Sequence, residues 1–81
     1  KMGESITIYP NPAKSDFNIK LADDGKYSVK IYDMAGREVK NLGEMNSNSK
    51  NINVPINLIP GKYMVNISKD GVSFTKDLLV K

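Results

Sequence analysis

Residues 62–74 read Lys62-Tyr63-Met64-Val65-Asn66-Ile67-Ser68-Lys69-Asp70-Gly71-Val72-Ser73-Phe74. Tyr63, Val65 and Ile67 fall on one parity, a period of two that suits a half-buried strand and cannot keep one face of a helix apolar. Asp70-Gly71 follows at once. A two-residue Asp-Gly link between apolar runs is a strong hairpin signal, because both central residues must take positive φ. The stretch therefore predicts an antiparallel hairpin whose second arm is a final strand from Val72 to Lys81.

Working outward, Pro60-Gly61 has the chemistry of a type II turn, with Pro fixing the first central residue and Gly supplying the positive φ of the second. Ahead of it Ile52, Val54, Ile56 and Leu58 alternate strictly, but Pro55 interrupts the ladder and predicts an edge strand. Residues 43–51, rich in Asn and Ser, read as the longest and most mobile loop. In residues 38–42, Val39 and Leu42 differ in parity, which predicts a bulge or an edge position. Asp33-Met34-Ala35-Gly36-Arg37 reads as a hairpin loop in which Asp33 accepts backbone N–H bonds and Gly36 is left-handed. Earlier still come a strand at 27–33 (Tyr27, Val29 and Ile31 inward), a turn at Asp23-Asp24-Gly25, a strand at 16–21 (Phe17, Ile19 and Leu21 inward), a rigid corner at Pro10-Asn11-Pro12, and a first run at 5–9. Seven short strands without an intervening helix predict an all-β fold, a seven-stranded immunoglobulin-like antiparallel β-sandwich, with barrel closure as the alternative. The expected division is a linker remnant at residues 1–5 and one domain at 6–81.

With 81 residues the chain has room for one modest core. It has neither Cys nor His, so a disulfide and a Cys/His zinc site are both excluded, and sheet packing must supply the stability. The net charge is +3, but the twelve basic residues are scattered among nine acidic ones. No basic cluster builds a phosphate-tracking face, so no nucleic-acid partner is expected. Leu78-Leu79-Val80 is the longest apolar run, far short of the roughly 20 residues that span a bilayer, so no direct membrane insertion is expected. Residues 1–5 do not read as a signal peptide, and the opening Lys1 suggests a piece of something longer.

Without His or Cys the usual general base and thiol nucleophile are absent, so the expectation is a non-enzyme with no catalytic residue, metal or cofactor. Asp23-Asp24 has too few companions for a calcium loop and reads as a solvated turn. Asn66-Ile67-Ser68 fits the glycosylation pattern but lies inside a strand. Tyr63 reads as a buried anchor whose hydroxyl bonds back to the chain. In the last strand Val72, Phe74, Leu78 and Val80 share one parity, Lys76 interrupts that apolar face, and Leu79 adds an apolar residue to the other. One reading is an ordinary closing strand with a snorkelling lysine. The other is a strand presented to a partner, whose free edge is a template for strand addition.

The order of these motifs resembles a known family. Tyr9-Pro10-Asn11-Pro12, the run Val29 to Val39 around Asp33-Met34-Ala35-Gly36-Arg37, Leu58-Ile59-Pro60-Gly61-Lys62-Tyr63, and Lys76-Asp77-Leu78-Leu79-Val80-Lys81 are similar to the type A C-terminal sorting domain of type IX secretion cargo. The resemblance implies a non-catalytic secretion signal from a Bacteroidota protein, folded as an immunoglobulin-like sandwich. It also implies partners: an N-terminal cargo domain of the same parent chain, the outer-membrane translocon with its shuttle proteins, and a cell-surface sortase of the cysteine-peptidase type. The implied route is periplasm in transit, then cell surface or extracellular space. Carried over by residue, translocon recognition would fall on Lys76, Asp77, Leu78, Leu79, Val80 and Lys81, while Pro10, Asn11, Pro12, Asp33, Gly36, Gly61 and Tyr63 would be scaffold. The rival reading is a carbohydrate-binding or fibronectin-like spacer module of a secreted enzyme, for which Tyr32 is the one aromatic set apart from its strand's apolar residues.

Overall fold

The computed structural model describes residues 6–81. The expected linker remnant at 1–5 and the first residue of the 5–9 run lie outside the described residues. Seven strands follow in order: β1 (Thr7–Tyr9), β2 (Asp16–Lys20), β3 (Lys26–Asp33), β4 (Glu38–Asn46), β5 (Asn51–Pro55), β6 (Gly61–Lys69) and β7 (Val72–Val80). They form a three-stranded sheet, β1-β2-β5, and a four-stranded sheet, β4-β3-β6-β7, with every neighbouring pair of strands antiparallel. Among the described residues the regular structure is entirely strand, as the period of two requires.

The inward parity of each strand supplies one continuous core. Phe17, Ile19, Ile52 and Val54 come from the smaller sheet, and Tyr27, Val29, Ile31, Tyr63, Val65, Ile67, Leu78 and Val80 from the larger, all buried in one cluster. The two layers face each other as a sandwich. Two buried tyrosines satisfy their hydroxyls in the same way: Tyr27 donates to the Asp23 carbonyl at 2.8 Å, and Tyr63 donates to the Ile59 carbonyl at 2.6 Å, each four residues upstream. A Tyr ring can therefore fill the core without stranding a polar group.

The turns follow their chemistry. Asp70 and Gly71 have φ of 54° and 79°, the pair a two-residue hairpin demands. Gly36 has φ 87°, and Asp33 Oδ1 accepts the N–H groups of Ala35 and Arg37 at 2.9 and 3.0 Å. Those bonds, with the Arg37 guanidinium alongside, hold the Asp33 carboxyl below its ordinary pKa. The smaller sheet ends at β5, so Pro55 does sit on an edge strand.

Two expectations are corrected. Residues 43–51 are not one long loop: β4 runs on through residues 43–46, and the link to β5 is a tight turn. The reason is a pair of bulges. The β3–β4 register shifts between Val29 and Lys30 and again between Ile31 and Tyr32, so the conflicting parities of Val39 and Leu42 are both accommodated. Gly43 takes φ 67° with its N–H bonded to the Asn41 side chain, and the reset register packs Met45 against the core. Asn48 and Asn51 then exchange both backbone bonds across Ser49 and Lys50, whose φ values of 55° and 60° make a tight turn without glycine. The second correction concerns Gly61, whose φ is not positive. It is the first residue of β6 and pairs with Val80, so the chain enters the strand directly and no type II turn forms there.

Candidate recognition surface

The closing strand is an edge strand of the larger sheet, bonded to β6 on one side only. In an antiparallel ladder the backbone groups of alternate residues point to opposite edges. The Leu79 N–H and C=O both leave the β6 side, and both are taken. The N–H donates to Asn11 Oδ1 at 2.9 Å and the C=O accepts the Ala13 N–H at 2.8 Å. Flanking them, the Lys81 N–H donates to the Ala13 carbonyl at 2.8 Å, and Asn11 Nδ2 donates to the Asp77 carbonyl at 3.2 Å. Residues 10–13 thus form a strap along the outer edge of β7 from Asp77 to Lys81, with Ala13 and Val80 in a parallel bridge. The strap leaves β1 at the Pro10 corner, where both X–Pro bonds, Tyr9–Pro10 and Asn11–Pro12, are cis. Ala13 is fully buried and anchors the strap in the core.

This arrangement divides the segment singled out in the sequence. Leu78 and Val80 are buried, at 0% and 2% exposure, and Lys76 lies half-buried on the same parity. Asp77 and Leu79 point outward, Leu79 being 44% exposed, and Lys81 continues that parity. The register sets Lys62 beside Leu79 and Met64 beside Asp77, while Tyr32 lies beside Met64. The outer face of the larger sheet therefore carries an exposed leucine between two lysines, next to half-buried Met64 and Tyr32. Beyond them an open hollow of about 330 Å³ is lined by Tyr32, Met34, Gly36, Met64 and Thr75 among others. Tyr32, the aromatic of the carbohydrate-binding reading, belongs to this face. A free backbone edge at the closing segment, one of the two readings of that strand, is not what the structure contains. The strap already holds those groups.

The scaffold residues fall at three places. Pro10, Asn11 and Pro12 make the strap, Asp33 and Gly36 close the β3–β4 loop, and Gly61 and Tyr63 start β6 opposite Val80 and Leu78. Tyr63 packs inward at 6% exposure.

Sequence reasoning took Asn11 for part of a rigid corner and missed its bonds to the last strand. Nothing local marks those bonds: the N–H two residues on, the usual partner of an Asn side chain, is that of Ala13, which the Leu79 carbonyl takes. Asp24 lies exposed at its turn, as a solvated turn residue should, and is bonded to a second turn as well. Its Oδ1 accepts the Ser47 hydroxyl at 2.7 Å and the Lys50 N–H at 2.6 Å, lacing the 22–25 turn to the β4–β5 turn. Those two bonds, the Ser47 one foremost, hold the Asp24 carboxyl below its ordinary value.

The family model for the secretion system C-terminal sorting domain matches residues 7–81. No curated protein matches the chain. The match begins at the first residue of β1 and takes in the strap, all seven strands and the outward face of β7, so the chain belongs to the secretion system C-terminal sorting domain family, the sorting signals of type IX secretion.

Proposed function

We propose that this domain is read by the outer-membrane translocon and its shuttle proteins through the outward side chains of the closing strand, with residues 6–81 acting as one folded unit. Family membership makes it a sorting signal, in a family whose members are not catalysts in general. It acts on a cargo part of the same protein and engages the type IX machinery, which exports that cargo to the cell surface or beyond. The observation that carries the finer reading is the split character of the last segment. Its outer backbone edge from Asp77 to Lys81 is covered, whereas Leu79 stands uncovered between Lys62 and Lys81. A partner gains free energy by burying an exposed apolar side chain, and the charges around it, Asp77 two residues before, Lys81 two after and Lys62 across on β6, favour a receptor pocket with a rim of mixed charge. In this reading Asp77, Leu79 and Lys81 make contact, while Lys76, Leu78 and Val80 hold the strand in place. Passage would run through the periplasm, and a surface sortase of the cysteine-peptidase type would then remove the domain and attach the cargo.

Truncating the last residues would also remove Leu78 and Val80 from the core, so point variants test the reading better. A periplasm-directed reporter fused ahead of the domain reaches the surface of a type IX-competent host. Leu79→Asp leaves the domain folded by circular dichroism and keeps the reporter in the periplasm. Normal export of the Leu79→Asp reporter would show that the outward face is not what the machinery reads.

A further inference from the structure

The strap does in part with a side chain what a strand does with its backbone. In a parallel pair, one residue donates its N–H to the residue before its partner and accepts from the residue after. Ala13 does this toward Leu79 and Lys81. Two residues earlier, the next rung would bridge Asp77 and Leu79, and there the Asn11 carboxamide supplies both bonds, Nδ2 to the Asp77 carbonyl and Oδ1 from the Leu79 N–H. A primary amide carries the same donor and acceptor pair as a peptide group. Prolines on both sides leave few local N–H groups to compete for it.

We propose that Asn11 is a positioning residue for recognition. Its carboxamide replaces a missing backbone rung, fixes Asp77 and Leu79 on the outward face, and denies an incoming strand the edge of that segment. Three features join in this. Asn11 is exposed, so its bonds contribute little to the core. Its partners lie 66 and 68 residues away, so the bonds do not shape the local turn. They end on the backbone of the two residues whose side chains flank Met64 and Lys62. Aspartate at this position would keep the acceptor for Leu79 but turn an anion toward the Asp77 carbonyl, and alanine would lose both bonds.

The inference rests on the proposed reading of the outward face, and its test is separable from that reading. The fused reporter and the isolated amide exchange are followed for Asn11→Ala, Asn11→Asp and a control, Asp24→Ala. The control also removes two side-chain bonds to distant residues, at the other end of the β6–β7 hairpin, where Lys69 reaches the Asp24 carbonyl. In Asn11→Ala the Leu79 amide exchanges about tenfold faster, as expected for the loss of one net hydrogen bond, and export falls. Asp24→Ala, with a comparable drop in melting temperature, exports like the parent. Should Asn11→Ala not fold, Asn11→Asp gives the same comparison with one bond retained. Parent-level export by folded Asn11→Ala with its Leu79 amide freed, or, where that variant does not fold, by folded Asn11→Asp with its Asp77 bond lost, would overturn the inference, and so would an equal loss in Asp24→Ala, which would make stability the cause. If Leu79→Asp exports normally, it is the face reading that fails.

Discussion

The two outer faces of the sandwich meet water in different ways. On the smaller sheet the polar side chains answer one another. The Tyr9 hydroxyl donates to Asn51 Oδ1 at 2.8 Å, Asn51 Nδ2 donates to Asn18 Oδ1 at 3.1 Å, and Asn53 Nδ2 donates to both Asn18 and Asp16. On the larger sheet Tyr32 and Met64 sit half-buried side by side, Leu79 is 44% exposed, and Met34 in the adjoining loop is 59% exposed. A partner docking on the first face would exchange existing bonds for new ones at little net gain. One docking on the second removes apolar surface from water. That contrast supports the proposed placing of recognition on the larger sheet rather than on the smaller one.

The sharpest test of that division uses two adjacent leucines on opposite sides of one strand. Leu78→Ala empties a fully buried site and should lower stability by about 2–5 kcal/mol in denaturant unfolding. Leu79→Ala should stay within about 0.5 kcal/mol of the parent. A large loss in Leu79→Ala would mean that the outer face is structural and would erase the contrast. Next in size is Tyr63→Phe, which leaves the ring in the core and the Ile59 carbonyl without its donor, and should cost about 1 kcal/mol by the same measurement. It separates the scaffold role from any direct one, since export should follow the parent. Asn53→Ala on the amide face should shift stability by only about 0.5 kcal/mol and leave export unchanged. Export lost in that variant, with the fold intact, would reverse the assignment of the two faces.

The smallest effect is the response to acid. Asp24 and Asp33 both titrate below their ordinary value when folded, because hydrogen bonds favour the charged form. Their contribution is therefore complete above the pKa of the unfolded chain and is lost as pH falls through the lower folded value. Melting temperature followed from neutral into acid should decline in that window, and Asp24→Asn should flatten part of the decline. An Asp24→Asn profile that follows the parent throughout would show that the lacing of the two turns carries no pH dependence. Asn11, which ties the other corner, does not ionise, so its bonds to β7 are independent of pH over the same range.

Much of the fold was legible because strand parity and turn chemistry are local. Tyr63-Val65-Ile67, Asp70-Gly71 and the Asp33 loop each state their geometry within a few residues. The stretch after Leu42 was misread for a related reason: bulges reset parity, and the reset shows only against β3. Gly61 was misread because Pro-Gly suits a turn in isolation, while pairing with Val80 draws it into a strand. The strap and the amide lattice were invisible. Both join residues that come together only when β1, β2, β5 and β7 have found their places, and no spacing in the sequence records that. Of the candidate surface, the closing segment could be named, but which of its residues face out depended on seeing which edge was already taken.

The strap and the doubly bulged β4 occupy the two ends of the same sheet. A sheet whose margins are both irregular offers a neighbouring copy no long, straight ladder on which to stack. Edge-to-edge pairing of copies through the larger sheet is thereby disfavoured at the bulges of β4 and along residues 77–81 of β7, whatever cargo the domain is joined to.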